Sequence, residues 1–170
     1  MMLLKGVLVI VVAIAAYYDL RWRRIPNWLV ISGLGAAIIL QTASGGIPAL
    51  LDALKGFGLG MALLFIPFLL RGMGAGDVKL LGVVGALQGW VFVVNTFLWM
   101  AVWGGIMALI ALLASGKIQV VVLRLAASYY PPLQVKLAVM QSRVSTGKTT
   151  IPYGVAIGLG AICSLMWMWW

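Results

Sequence analysis

Only three side chains in the 170-residue sequence are acidic, Asp19, Asp52 and Asp77, and the sequence contains no Glu and no His. Asp77 closes the run R-G-M-G-A-G-D from Arg71, in which Gly72, Gly74 and Gly76 give a backbone able to turn tightly before a new apolar segment begins. Asp19 lies in the last turn of the first apolar run, just before Arg21-Trp22-Arg23-Arg24-Ile25-Pro26. Two carboxylates brought to one place could share a proton and divide the work of base and acid in hydrolysis. Each acid also has a plainer use. Asp77 can cap a helix start, where the helix dipole suits an anion. Asp19 can pair with Arg23 at i, i+4, and Asp52 with Lys55 at i, i+3. Scarcity favours chemistry, because an ionisable group inside an apolar span costs roughly 2.5 to 3.5 kcal/mol at the bilayer centre and is by default a functional candidate.

Other catalytic chemistries lack their residues. Without His there is no Ser-His-Asp or Cys-His catalysis and no histidine-ligated metal. Cys163 is the only cysteine, so neither an internal disulfide nor a cysteine-rich zinc site can form. No Ser lies within a helical turn or two of Lys79, which disfavours a Ser-Lys dyad. The expected chemistry needs no metal and no cofactor.

The elements that must position the acids follow from composition. At 64% apolar, 9% charged and a mean hydropathy of +1.13, the chain is expected to be an all-α integral membrane protein. At about 20 residues per crossing it has room for roughly six transmembrane helices and no separate soluble domain. The pattern predicts spans over about 3–20, 27–41, 47–70, 77–88, 91–114 and 151–170, forming a single domain over 1–170. Pro26 ends the first segment and Asn27 begins the second. A polar turn is expected over 41–46. Residues 80–114 are apolar throughout, about 52 Å as one helix, so the chain must turn back, best at Gln88-Gly89-Trp90. The short stretch from Asp77 to that turn would leave Asp77 below the interface, on a glycine loop tolerated at that depth only beside protein or a watery cavity.

Residues 115–150 form a basic loop with Lys117, Arg124, Lys136, Arg143 and Lys148 and no acid, expected on the membrane surface against anionic lipid. Ten of the twelve Lys and Arg, including Arg21, Arg23, Arg24, Arg71 and Lys79, fall on one predicted face, against Lys5 and Lys55 on the other. By the positive-inside rule the richer face is cytoplasmic, which puts both termini outside and both Asp19 and Asp77 at the cytoplasmic side.

Three blocks, D-L-R-W-R-R-I-P-N-W from Asp19, G-M-G-A-G-D-V-K-L-L from Gly72 and I-P-Y-G-V-A-I-G from Ile151, closely resemble the type IV prepilin peptidases. These are intramembrane aspartic proteases whose G-x-G-D signature is shared with presenilins and archaeal preflagellin peptidases. The resemblance implies Asp19 and Asp77 as the catalytic pair and Gly74 and Gly76 as motif glycines. It makes Pro26, Asn27, Lys79, Pro152 and Gly154 supporting residues. It further implies a bacterial cytoplasmic-membrane enzyme that cuts prepilins or pseudopilins after a Gly separating a short basic leader from an apolar helix. Nucleic acid is not among the implied partners. Larger members carry paired C-x-x-C motifs associated with N-methylation, and this chain lacks them. It therefore resembles the minimal, peptidase-only form of tight-adherence (Flp-type) pilus systems.

Two other classes use the same residues. A proton- or cation-coupled transporter could employ Asp19 and Asp77, although no inverted repeat is visible. A non-catalytic pilus-assembly protein would tolerate Asp→Asn at either position.

Overall fold

The computed structural model describes residues 2–114 and 152–168, and within them all regular structure is helical. The helices are α1 (Met2–Trp22), α2 (Asn27–Leu69), α3 (Ala75–Gln88), α4 (Trp90–Ala114) and α5 (Tyr153–Trp167). The basic segment 115–150, Ile151 and the terminal Trp169 and Trp170 lie outside the described residues. The chain divides into two compact units, residues 1–104 with 152–170 and residues 105–151. Of the second, the described part is residues 105–114, which are helical. Helices α1, α2 and α4 are each long and apolar enough to cross a membrane, and α5 is a shorter apolar helix of 15 residues.

Helix α2 is a hairpin of two helical arms. Gly46, at φ 62 and ψ −148, breaks it into residues 27–45 and 47–69, and Pro48 follows the break. The two arms run in opposite directions along α3. Gly33 meets Val83 and Gln41 Nε2 donates to the Leu87 carbonyl (3.1 Å) on the way up. Gly56 then meets Gly85, and Gly60 meets Leu81, on the way down. The polar turn expected over 41–46 is therefore confined to Gly46. Thr42 and Ser44 stay helical, and their hydroxyls donate back to the carbonyls of Ile38 (2.7 Å) and Gln41 (3.2 Å).

Helix α3 is the buried centre. Leu80, Leu81, Val83, Val84 and Leu87 have no exposed surface, as expected of a helix apolar all round. In lipid the hydrophobic effect does not press one helix on another, so association rests on close packing, and small residues permit it. At Gly56 and Gly85 each backbone occupies the space where a Cβ of the other would stand. A Cβ on Gly60 would lie 2.5 Å from the Leu81 carbonyl oxygen. On the other side, a Cβ on Gly158 of α5 would come within 2.9 Å of Val12 Cγ1 on α1. Gly160 fits against the backbone of α4 at Thr96 and Met100, beside a Thr96–Ser164 hydroxyl contact of 3.4 Å. Helix α3 ends at Gly89, whose φ of 87 is glycine's own region, and α4 begins at Trp90.

Candidate active site

One end of the bundle gathers the C-terminus of α1, both ends of α2 and the N-termini of α3 and α5. Each helix end is closed in a way that aims a group inward. Helix α1 stops with Arg23 in the left-handed region (φ 54), its N–H donating to the Asp19 carbonyl (2.9 Å) as in an αL cap. Helix α2 stops similarly with Arg71 at φ 57. The Gly72 N–H donates to the Pro67 carbonyl (3.0 Å) and the Arg71 N–H to that of Phe68 (2.9 Å), the paired bonds of a Schellman motif. The left-handed residue of the glycine loop is thus Arg71. Gly72, Gly74 and Gly76 do not supply it; two of them serve by lacking volume. A Cβ on Gly76 would stand 3.0 Å from Ile25 Cβ, and one on Gly74 would stand 3.3 Å from Asp77 Oδ2.

Asp19 is 7% exposed, and its Oδ2 accepts a 2.7 Å hydrogen bond from the Gly154 N–H, with the Val155 amide beside it. Those amides belong to the first turn of α5, which follows Pro152 at its N-cap, so the positive end of a helix dipole faces the carboxylate. Gly154 must be small: a Cβ there would lie 2.9 Å from both the Cβ and the Oδ2 of Asp19. Arg23, four residues on, also acts on Asp19 electrostatically, alongside the longer-range anchor.

Asp77 is 8% exposed and occupies the third position of α3, which starts at Ala75, two residues before the expected 77. The N-cap is Gly74, and Asp77 Oδ2 accepts the Gly74 N–H at 3.1 Å. Gly74 has no side chain to return the favour, so this is half of a capping box. Asp19 is close enough to act on the charge of Asp77. Together with Arg23, Arg24, Ile25, Gly74, Ala75 and Gly76 they line one cavity of about 260 Å³. That is room for several waters or a short length of extended chain.

The remaining expected residues are dispersed around this pair. Pro26 caps α2, its carbonyl accepting the Leu29 N–H (3.2 Å). Lys79 turns away from the carboxylates, and its Nζ donates to Asn27 Oδ1 (3.3 Å), which ties α3 to the start of α2. Asp52 lies against Gly89 at the opposite end of α3, an interhelix contact that a local pairing with Lys55 does not include. Sequence reasoning did not assign Arg24, Ile25 or Ala75 to the cavity, although the imbalance of twelve bases to three acids was a signal for the arginine.

Residues 6–109, more than half of the chain, match the family model of the type IV leader peptidase family. The chain belongs to that family. No curated protein and no solved structure matches it significantly. Membership makes it a peptidase of the type IV leader class, and its apolar helices make it an integral membrane protein. The match contains Asp19, the whole of α2, the glycine loop and Asp77, and it stops short of α5. The Gly154 anchor on a type IV leader peptidase aspartate is therefore information that the structure adds.

Proposed function

We propose that the protein is an intramembrane aspartic endopeptidase that removes the leader of prepilins or pseudopilins after a Gly, at the cytoplasmic face of the bacterial inner membrane. The observation that supports it best is the shared cavity: two buried carboxylates, each held by a backbone N–H at a helix start, open to one space. The Gly74 and Gly154 bonds each fall on Oδ2, and the reaction uses the other oxygen of each carboxylate to meet a water and a carbonyl. One carboxylate takes a proton from water as its oxygen adds to the scissile carbonyl carbon. The other, protonated, donates to the carbonyl oxygen. Collapse of the tetrahedral gem-diol breaks the C–N bond: the amine leaves with the proton held by the first group, and one hydroxyl of the adduct returns its proton to the second. Gly74 and Gly76 keep the wall beside Asp77 free of side chains, and Pro26, Asn27, Lys79, Pro152 and Gly154 hold the surrounding helix ends.

The proposed setting is a single domain over 1–170 crossing the membrane six times, with both termini outside. The arms of α2 on either side of Gly46 supply two of those crossings. The basic segment 115–150 would meet anionic lipid. Neither metal nor cofactor takes part, and with Cys163 as the only cysteine no methyltransferase activity is expected, as in the minimal Flp-type enzymes.

The deciding experiment is co-expression with candidate prepilins and mass measurement of their N-termini. The expected product begins one residue after a Gly that precedes the apolar helix. A cut on the outer side, or deep in the apolar segment, would overturn the orientation and the site. Chelator and thiol-blocking reagent should both leave the rate unchanged. Strong inhibition of purified enzyme by EDTA would place the chemistry elsewhere.

A further inference from the structure

The cavity holds two cations as well as two acids, and their formal charges balance only while both acids are ionised, whereas the proposed mechanism needs one of them protonated. All three side-chain acids of the sequence are accounted for. Asp19 is engaged by Gly154 and Arg23, and Asp77 by Gly74. Asp52 lies beside Gly89, the length of α3 away, about 20 Å. No side-chain carboxylate of this chain is left for Arg24, which nonetheless lines the cavity. The turn that brings it there is specific. Arg23 takes a left-handed φ, a conformation costing a non-glycine residue roughly 1 to 2 kcal/mol, and so swings the Arg24–Pro26 link across the end of α1. Ile25 then seats against Gly76. With one proton shared by the two aspartates, as the proposed mechanism requires, the four ionisable groups of the cavity carry one net positive charge. Gly74, Ala75 and Gly76 line the same cavity with nothing larger than a methyl group among them, which leaves room along them for an extended chain.

We propose that Arg24 is a specificity residue: it binds an acidic side chain of the substrate within a few residues of the scissile bond. An anionic lipid headgroup carries the same charge. The substrate is favoured because Arg24 opens into the cavity that contains the carboxylates, where the scissile segment must enter. A guanidinium is suited to this, since its fork takes a carboxylate bidentately. The proposal rests on the peptidase reading above, and its test is one of binding, so that it can fail separately.

The probes are synthetic peptides with one apolar helix preceded by a Gly, the amide after that Gly replaced by a neutral, uncleavable hydroxyethylene group. A single Glu is moved through the four positions on either side, with Gln and Lys versions at each. Dissociation constants are measured with the full chain in neutral-lipid nanodiscs. At one position or two adjacent ones the Glu peptide is expected to bind about tenfold tighter than the Gln peptide. Arg24→Gln should abolish that preference, Arg24→Lys should keep part of it, and Arg24→Glu should reverse it towards the Lys peptide. Should Arg24→Glu fail to fold, the Gln and Lys variants decide alone, since Arg24 is exposed outside the helices. Equal binding of Glu and Gln peptides at every position overturns the proposal, as does a preference that survives Arg24→Gln. So does an effect of Arg24→Gln seen for all peptides alike and only in anionic nanodiscs, which would assign the arginine to lipid. Absence of cleavage of the amide-containing peptide would count against the peptidase reading and leave the binding preference intact.

Discussion

Helix α3 has an aspartate at each end, and the two ends are built differently. At its start Asp77 is almost fully buried, caps its own helix through Gly74, and opens into a cavity with a second buried carboxylate. At its finish Asp52, half-buried and on another helix, fills the space a side chain at Gly89 would need: a Cβ there would lie 2.7 Å from Asp52 Oδ2. Both acids sit at helix N-termini, Asp77 at that of α3 and Asp52 near that of α4, where the dipole favours an anion. Helix-end electrostatics therefore explains either one singly. It does not explain why two of only three acids share one cavity.

The comparison breaks hardest if the acids at the two ends are interchangeable. Asp19→Asn and Asp77→Asn should each lower prepilin cleavage at least about a thousandfold, since each removes a proton-transfer group while keeping its shape. Both variants should remain inserted and melt cooperatively. A single variant that still processed substrate near the wild-type rate would end the paired-carboxylate reading.

Gly154→Ala tests the anchor. The new methyl must displace the Asp19 carboxylate, which stands 2.9 Å from it, or push the start of α5 away. Misplacement by about 1 Å can cost about a hundredfold, so kcat should fall by roughly ten- to a hundredfold with KM little changed. Steady-state kinetics on a leader peptide reads the split. A rise in KM alone would mean that Gly154 shapes substrate entry and does not position Asp19.

How much of this was legible beforehand can be followed residue by residue. The breaks at Pro26 and Gly89 coincide with turns the residues predict, because proline and glycine act locally. The α2 turn was legible in place but not in form: hydroxyls that look like loop chemistry bond back to their own helix, and a single glycine reverses the chain. The approach of Gly154 to Asp19 spans 135 residues, and nothing in either neighbourhood encodes the other except by resemblance to a family. Likewise Gly56 and Gly85 read as isolated glycines until their backbones are seen in contact. The contact of Lys79 with Asn27 was equally hidden, since the two residues are 52 apart in sequence.

That glycine contact offers a prediction in which both ends should fail together. Gly85→Ala forces a methyl into the backbone of Gly56, and overpacking of this kind costs about 1 to 3 kcal/mol. Thermal unfolding in detergent should show a lower midpoint, and cleavage should fall in proportion to the folded fraction. Gly58→Ala, where a Cβ meets nothing within 4 Å, is the control and should melt at or slightly above the wild-type temperature. Equal melting of the two variants would show that α2 and α3 do not depend on that approach.

The smallest effect is expected at Asp52, and it is the most informative about the comparison. Asn keeps the length and the accepting oxygen of Asp, so Asp52→Asn preserves the packing against Gly89 and removes only the charge. The charge at the start of α4 is worth about 0.3 to 1 kcal/mol when partly exposed. Stability should fall by no more than that, and the cleavage rate should stay within about twofold once corrected for folded protein. Asp52→Leu, which cannot accept a hydrogen bond, should cost more stability than Asp52→Asn while leaving kcat of the folded fraction unchanged. The reason is distance: about 20 Å of rigid helix separates Asp52 from the cavity, and no proton passes between them in the proposed reaction. If Asp52→Asn abolished cleavage in a protein that still folded, the two ends of α3 would have to be energetically coupled, and the buried helix would be a moving part and not a fixed support.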